Sequence, residues 1–230
     1  ASHGNRGNEA IVRGTMAILR REFGEEVGAD MGVRISPAAL AKEIPLEDPG
    51  VHPFSNFNHG PHFGPKWWAL KANRFLGTRF RPHTWDFKPY LDSAGIALEI
   101  GGDCYSLDYG RPAIHVEIDE FLLSRGIPVV IWGASVGPFD RDPAYEPVIL
   151  DHLRKLDGIF VREERSRDYL ASHGIQANVH RMSDPAFVMQ PQEPDPVKLG
   201  FEMPEGAVGL NLSPLAGQFR NGKKSGLSWE

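Results

Sequence analysis

Ile127-Pro128-Val129-Val130-Ile131-Trp132-Gly133-Ala134-Ser135-Val136-Gly137-Pro138 is the stretch whose reading decides the fold. Ile127 to Trp132 is an apolar run with no polar alternation. That pattern suits a central strand buried on both faces, as in a parallel sheet. The run stops at a glycine-rich turn. Working upstream, Ile96 to Ile100 is a second strand ending in Gly101-Gly102-Asp103, and Ile114 to Arg125 is the helix between the two. Working downstream, a helix from Tyr145 to Leu156 leads to a short strand, Gly158 to Arg162. A helix from Glu163 to His173 and a further strand near Ala177 to Met182 continue the rhythm. Strands alternating with helices predict an α/β domain: a parallel sheet with helices on both faces.

The flanks are less regular. Ile11, Thr15, Ile18, Leu19 and Glu22 share one helical face, and Gly24 ends that helix. A glycine-rich loop opening a helix normally follows a buried strand, and here none precedes it. Met31 to Ile35 is a strand candidate. Ser36-Pro37 starts a short helix through Ile44. Residues 45–66 read as a long loop, Lys66 to Leu76 as a helix, and 77–93 give no clear pattern. A stretch rich in proline and acidic residues, 190–206, reads as a linker. We therefore expect one domain over 1–195, with 196–230 as linker and the start of a second. Ala207 to Ser213 is the expected first strand of that second domain. The two ends together read as those of a piece of a longer protein.

Composition narrows the function classes. The chain has 230 residues, 41% hydrophobic and 24% charged, ordinary values for a globular protein. A net charge of −5 leaves no basic footprint, so nucleic acid is not an expected partner. No stretch approaches the roughly 18 to 20 apolar residues of a membrane span. The single cysteine, Cys104, excludes an internal disulfide framework, fits a reducing cytoplasmic compartment, and reads as a small buried hydrophobe. His52, His59 and His62 share an aromatic loop but lack regular ligand spacing or a companion cysteine, so no metal site is expected. Trp67-Trp68 reads as core rather than as a sugar platform.

Ligands of open parallel sheets bind beyond the carboxyl ends of the strands. Five polar groups fall at such ends or at helix starts. Asn5, Gly7, Asn8 and Glu9 open the first helix. They can hold an anion on backbone N–H groups, or simply form a tight turn with Asn8 as N-cap. Gly102 and Asp103 follow a strand. An aspartate there can orient a hydroxyl or take its proton, or cap a turn. Ser135 sits in a Gly-x-Ser-x-Gly stretch. Pro138 and the turn-rich residues beyond it leave no helix directly after the serine, as a hydrolase elbow requires. Arg162 ends one strand and offers a planar fork for phosphate or carboxylate, with Ser166 one turn further on. Its bland alternative is pairing with Glu163 or Asp157. Asp184 occupies a later turn.

The ordered set carries more than any one member. Gly7-Asn8-Glu9-Ala10-Ile11, Gly101-Gly102-Asp103, Trp132 to Phe139, Val161-Arg162-Glu163-Glu164-Arg165-Ser166, Ser183-Asp184-Pro185-Ala186-Phe187 and Gly209 to Pro214 together resemble the polysaccharide pyruvyl transferase family. The resemblance implies a Rossmann-like first half of a two-domain, glycosyltransferase-B-like architecture. It implies transfer of pyruvate from phosphoenolpyruvate to sugar hydroxyls, usually closing a cyclic ketal. Substrate contacts would come from Asn5, Gly7, Asn8, Glu9, Gly102, Ser135, Arg162, Ser166 and Asp184, with Asp103 orienting or deprotonating the acceptor. No cofactor beyond the donor substrate is implied, and no metal, because phosphate leaves from carbon. A lipid-linked acceptor would place the protein peripherally at the inner face of the membrane. Two other readings stay open: a nucleotide-sugar glycosyltransferase of similar plan, and a non-catalytic carbohydrate-binding or regulatory domain.

Overall fold

The computed structural model describes residues 5–56, 64–190 and 204–208. The chain divides into two compact units, Ala1–Met189 and Gln190–Glu230. Within the second, only Gln190 and 204–208 are described, without regular structure. The strand expected from Ala207 lies, beyond Val208, outside the described residues.

The first unit is α/β. Helix α1 spans Arg6–Phe23 and buries Ile11, Val12, Thr15 and Met16 along one face. Its N-cap is Asn5, not Asn8. The Asn5 side chain accepts from the N–H groups of Gly7 and Asn8, so the helix starts three residues earlier than the glycine spacing suggests. Strand β1 (Ala29–Val33) leads to α2 (Pro37–Glu43), with Ser36 as N-cap and Pro37 in the first turn. Strand β2 (Val51–Ser55) then pairs parallel to β1. It falls inside the stretch read as a loop. Pro53 hides it, because proline in a strand is tolerated only at an edge. Helix α3 covers Pro65–Leu76, and a 3-10 segment, Pro82–Tyr90, fills the stretch that showed no pattern.

The remaining elements follow the expected alternation: β3 (Ala97–Ile100), α4 (Ala113–Leu123), β4 (Val129–Ala134), α5 (Glu146–Leu153), β5 (Gly158–Val161), α6 (Glu164–Ser172) and β6 (Val179–Arg181). Strands β3, β4, β5 and β6 form a parallel sheet in sequence order, and β1–β2 form a separate parallel ladder. Val129, Ile131, Ile159 and Val161 pack with Ile118 and Leu122 of α4, Ile149 and Leu153 of α5, and Leu170 of α6. Trp132, Phe160 and His180 lie in register across β4, β5 and β6, with ring centroids 5.1 and 4.9 Å apart.

One buried polar network crosses this core. Tyr105 donates its hydroxyl to Asp119, which His152 Nε2 approaches at 2.9 Å, and all three side chains are buried. Burial, with the negative charge of Glu99, pushes the Asp119 carboxyl up to about 6. The His152 and Tyr105 hydrogen bonds act the other way. Tyr105 also bridges Val136 and accepts from Gly137 N–H at 2.8 Å, so the loop after β3 is tied to the loop after β4.

Gly14 decides how α1 sits. It packs on the turn Pro185–Val188, and a Cβ at 14 would run into the Pro185 carbonyl. Helix propensity favours alanine there by about 1 kcal/mol. Overpacking against backbone costs about 1–3 kcal/mol. We expect the clash to win, so Gly14→Ala lowers the urea midpoint. Tyr105→Phe should cost about 1–3 kcal/mol by removing a donor from a buried carboxylate, read by the same measurement.

Candidate functional site

The carboxyl ends of β3, β4 and β5 and the turn after β6 meet at one guanidinium. Arg162 follows the last residue of β5, and its N–H donates to the Ala134 carbonyl at the end of β4. Its Nη1 donates to Asp184 at 2.7 Å. Nη2 donates to the Gly102 carbonyl at 2.8 Å and to Ser135 Oγ at 3.0 Å. Ser135 Oγ donates to Glu163 at 2.7 Å. Ser166 Oγ accepts from Val136 N–H at 2.9 Å and lies 3.4 Å from the other Glu163 oxygen. A Cβ at Gly102 would stand 3.2 Å from Nη2, so glycine is what lets the fork reach the carbonyl. Asp184 also caps the Pro185–Val188 turn through Ala186 N–H.

Arg162 is therefore already engaged. Asp184 is its hydrogen-bonded acid, Glu163 lies 3.5 Å from Nε, and that buried Nε has no hydrogen-bond acceptor among the described residues. Asp157 is not a partner. Its carboxylate accepts from Val129 N–H instead. With two acids around one guanidinium, the cluster as it stands carries no net positive charge for an anion.

A cavity of about 550 Å³ opens beside this cluster and shares Gly102 with it. Asn5 and Asn8 border it from the start of α1, and Gly102 and Asp103 from the end of β3. Ser135, Arg162, Ser166, Asp184, Gly7 and Glu9 stand outside its lining. Glu9 pairs with Arg6 and Arg13, at 2.6 and 3.0 Å, which places a carboxylate in the first turn of α1. Two of that helix's free N–H groups are occupied by Asn5, so its N-terminus offers an anion less than the loop sequence suggests.

Three further groups line the cavity that sequence reasoning did not single out. Arg34, just beyond β1, is exposed and makes no ion pair or side-chain hydrogen bond among the described residues. Arg111 also lines it, but is committed to Asp142 through two hydrogen bonds of 2.6 and 2.9 Å. His115, on α4, faces Glu99 of β3 at 2.9 Å from Nδ1. Burial disfavours its imidazolium, but the Glu99 carboxylate outweighs that and the pKa is raised. The available signal was positional. Arg34 follows a strand, and Glu99 is the one acid inside an otherwise apolar strand. Tyr109 faces Asp103, whose charge helps to hold the phenol protonated. Burial pushes the Cys104 thiol up to about 11, which makes it a poor nucleophile.

Trp67 and Trp68 pack edge to face at 4.7 Å, but Trp68 is exposed rather than core. His59 and His62 lie outside the described residues. Among the described residues no three His, Cys, Asp or Glu side chains come together, and no helix is long and apolar enough to cross a membrane.

The Arg162 fork should not tolerate its conservative replacement. A lysine ammonium lacks the planar fork that reaches Asp184, Gly102 and Ser135 together. Arg162→Lys should cost about 2 kcal/mol in urea unfolding, and a double-mutant cycle with Asp184→Asn should show coupling of about 1–3 kcal/mol. Additive effects would mean that the pair contributes nothing specific.

No curated protein and no solved structure matches the chain significantly. A family model described as polysaccharide pyruvyl transferase matches residues 5–226, almost its whole length. That span takes in every element of the first unit, including the strand ends gathered at Arg162. The chain belongs to the polysaccharide pyruvyl transferase family, a family of transferases.

Proposed function

We propose that the protein moves the pyruvyl unit of phosphoenolpyruvate onto hydroxyls of a polysaccharide or its precursor sugar, closing a ketal. The observation that carries this reading is the cavity wall itself, where a guanidinium with no partner among the described residues, a carboxylate-backed imidazole and a separate aspartate face one space. Phosphoenolpyruvate brings a carboxylate and a phosphate on three carbons. Arg34 is the group free to meet one of them with two hydrogen bonds. The side-chain amide of Asn8, in the first turn of α1, supports the other, with Asn5 holding that turn through the Gly7 and Asn8 N–H groups.

The chemistry starts with a proton delivered to the methylene carbon. The His115 imidazolium supplies it, because Glu99 raises the population of the charged form. The resulting oxocarbenium-like carbon is attacked by a sugar hydroxyl, whose proton passes to Asp103. Phosphate leaves with the proton held by Asp103, and a second hydroxyl, whose proton restores the His115 imidazolium, closes the ketal. Gly102, Ser135, Arg162, Ser166 and Asp184 complete the reading as the platform holding the turn that carries Asp103. Gly7 and Glu9 set the start of α1. The acceptor is a sugar on a growing or lipid-linked chain, and 1–195 with 196–230 is the corresponding division into domains.

Calorimetric titration with phosphoenolpyruvate, with nucleotide sugars as competitors, is the direct test. Binding that Arg34→Ala weakens about tenfold supports the donor site. Nucleotide-sugar binding without phosphoenolpyruvate binding would move the protein to glycosyl transfer, and sugar binding without phosphate release from any donor would leave a binding domain. His115→Ala should lower phosphate release about 10²–10⁴-fold while leaving donor affinity nearly unchanged. The sign of the pH effect follows from the proton donor. Turnover should persist below the raised His115 pKa and fall as pH climbs through it, above the ordinary 6.5.

A further inference from the structure

Helix α3 is built inside out. In α1 the apolar stripe is buried, with Ile11, Val12 and Met16 all in the core. In α3 the residues at i, i+4, i+7 and i+8 are Trp68, Ala72, Phe75 and Leu76, the spacing of one apolar face. That face points outward. Trp68 is 57% exposed, Phe75 71% and Leu76 77%, while Ala69 alone in the helix is buried. Phe80, just beyond the helix, adds another half-exposed ring at 51%. An exposed apolar ridge of this kind is costly unless something covers it.

The charge around the ridge says what covers it. From Pro49 to Trp85 the chain holds no Asp or Glu, but it holds Lys66, Lys71, Arg74, Arg79 and Arg81, in a protein of net charge −5. Lys66 pairs with Asp86, and Arg81 donates to Glu120 at 3.2 Å. Lys71, Arg74 and Arg79 make no ion pair among the described residues. The Lys71 ammonium lies 5.2 Å from the Trp67 ring centroid and 5.6 Å from that of Phe75. The Arg74 guanidinium lies 5.8 Å from Phe75. Basic heads held beside aromatic rings, with a Trp/Phe/Leu ridge pointing away from the core, are the composition of a helix that lies in a bilayer interface. A second copy of the same face would set like charges against each other. A negatively charged lipid surface attracts them.

We infer that α3 and the residues to Arg81 dock the protein on an anionic lipid surface, with Trp68, Phe75, Leu76 and Phe80 entering the interface and Lys71, Arg74 and Arg79 meeting the headgroups. The inference is independent of the donor site, because vesicle binding requires no phosphoenolpyruvate. It would place the cavity of a sugar-modifying enzyme next to the membrane.

Co-sedimentation with vesicles of phosphatidylcholine, with and without phosphatidylglycerol, tests it. The expected result is binding only to the anionic vesicles, weakened by salt. Phe75→Ser/Leu76→Ser and, separately, Lys71→Glu/Arg74→Glu/Arg79→Glu should each reduce it about tenfold or more. All five side chains are outside the core, and an unchanged thermal unfolding midpoint would establish that the variants fold. Three results overturn the inference: no sedimentation with either vesicle, equal binding by wild type and both variants, or concentration-dependent self-association that the serine variant abolishes without vesicle binding.

Discussion

The geometry of the site depends on a single guanidinium. Parallel strands leave their carboxyl ends pointing the same way, but nothing in backbone pairing fixes the loops beyond them. Arg162 does so here. From the end of β5 it reaches the carbonyl after β3, the hydroxyl after β4 and the carboxylate after β6. A planar fork with several donors is suited to joining acceptors that lie in different directions, which a point charge cannot do. The Gly102 carbonyl serves twice, accepting from Arg162 and from Ser135 N–H at 2.7 Å. The strand ends are thereby bound into one surface rather than four independent loops.

The same connection extends to the first helix. Asp184 holds Arg162 through one oxygen and caps the Pro185–Val188 turn through the other. That turn lies against Gly14, where only a missing Cβ permits the approach. A chain of contacts therefore runs from Arg162 through Asp184 and Pro185 to α1, and along α1 to Asn5 and Asn8 at the cavity. Tyr105, fixed by Asp119 and tied to Gly137, holds the loop that carries Asp103 from the other side. Helix start and strand ends are positioned by packing and hydrogen bonds that lie largely outside the cavity.

How much of this was legible depended on the range of each interaction. The β4 run and the helices around it were legible because their periodicity is local. β2 was not, because a five-residue strand containing Pro53 has the composition of a loop, and only its pairing with β1 makes it a strand. Arg162 and Asp184 were both legible as special, but not as partners, since 22 residues separate them. The nearer acids Glu163 and Asp157 were the natural candidates by sequence distance. His115 and Glu99 form a pair only because β3 and α4 pack against each other. Arg34 stands out only once the other arginine of the cavity wall, Arg111, is seen to be paired.

That last contrast bears on where an anion can bind. A site for a substrate carrying both phosphate and carboxylate needs positive charge that the protein has not already neutralised. Arg162 faces Asp184 and Glu163, and Arg111 faces Asp142. A new anion near either would compete with carboxylates a few ångströms away. Arg34 has no such competitor among the described residues, and Arg162 has the geometry of a structural clamp. In the fold, the arginine of the Arg-Glu-x-x-Ser stretch holds the strand ends together. Among the described residues that line the cavity, the arginine without an acid partner is the one beyond β1, which no local motif marks.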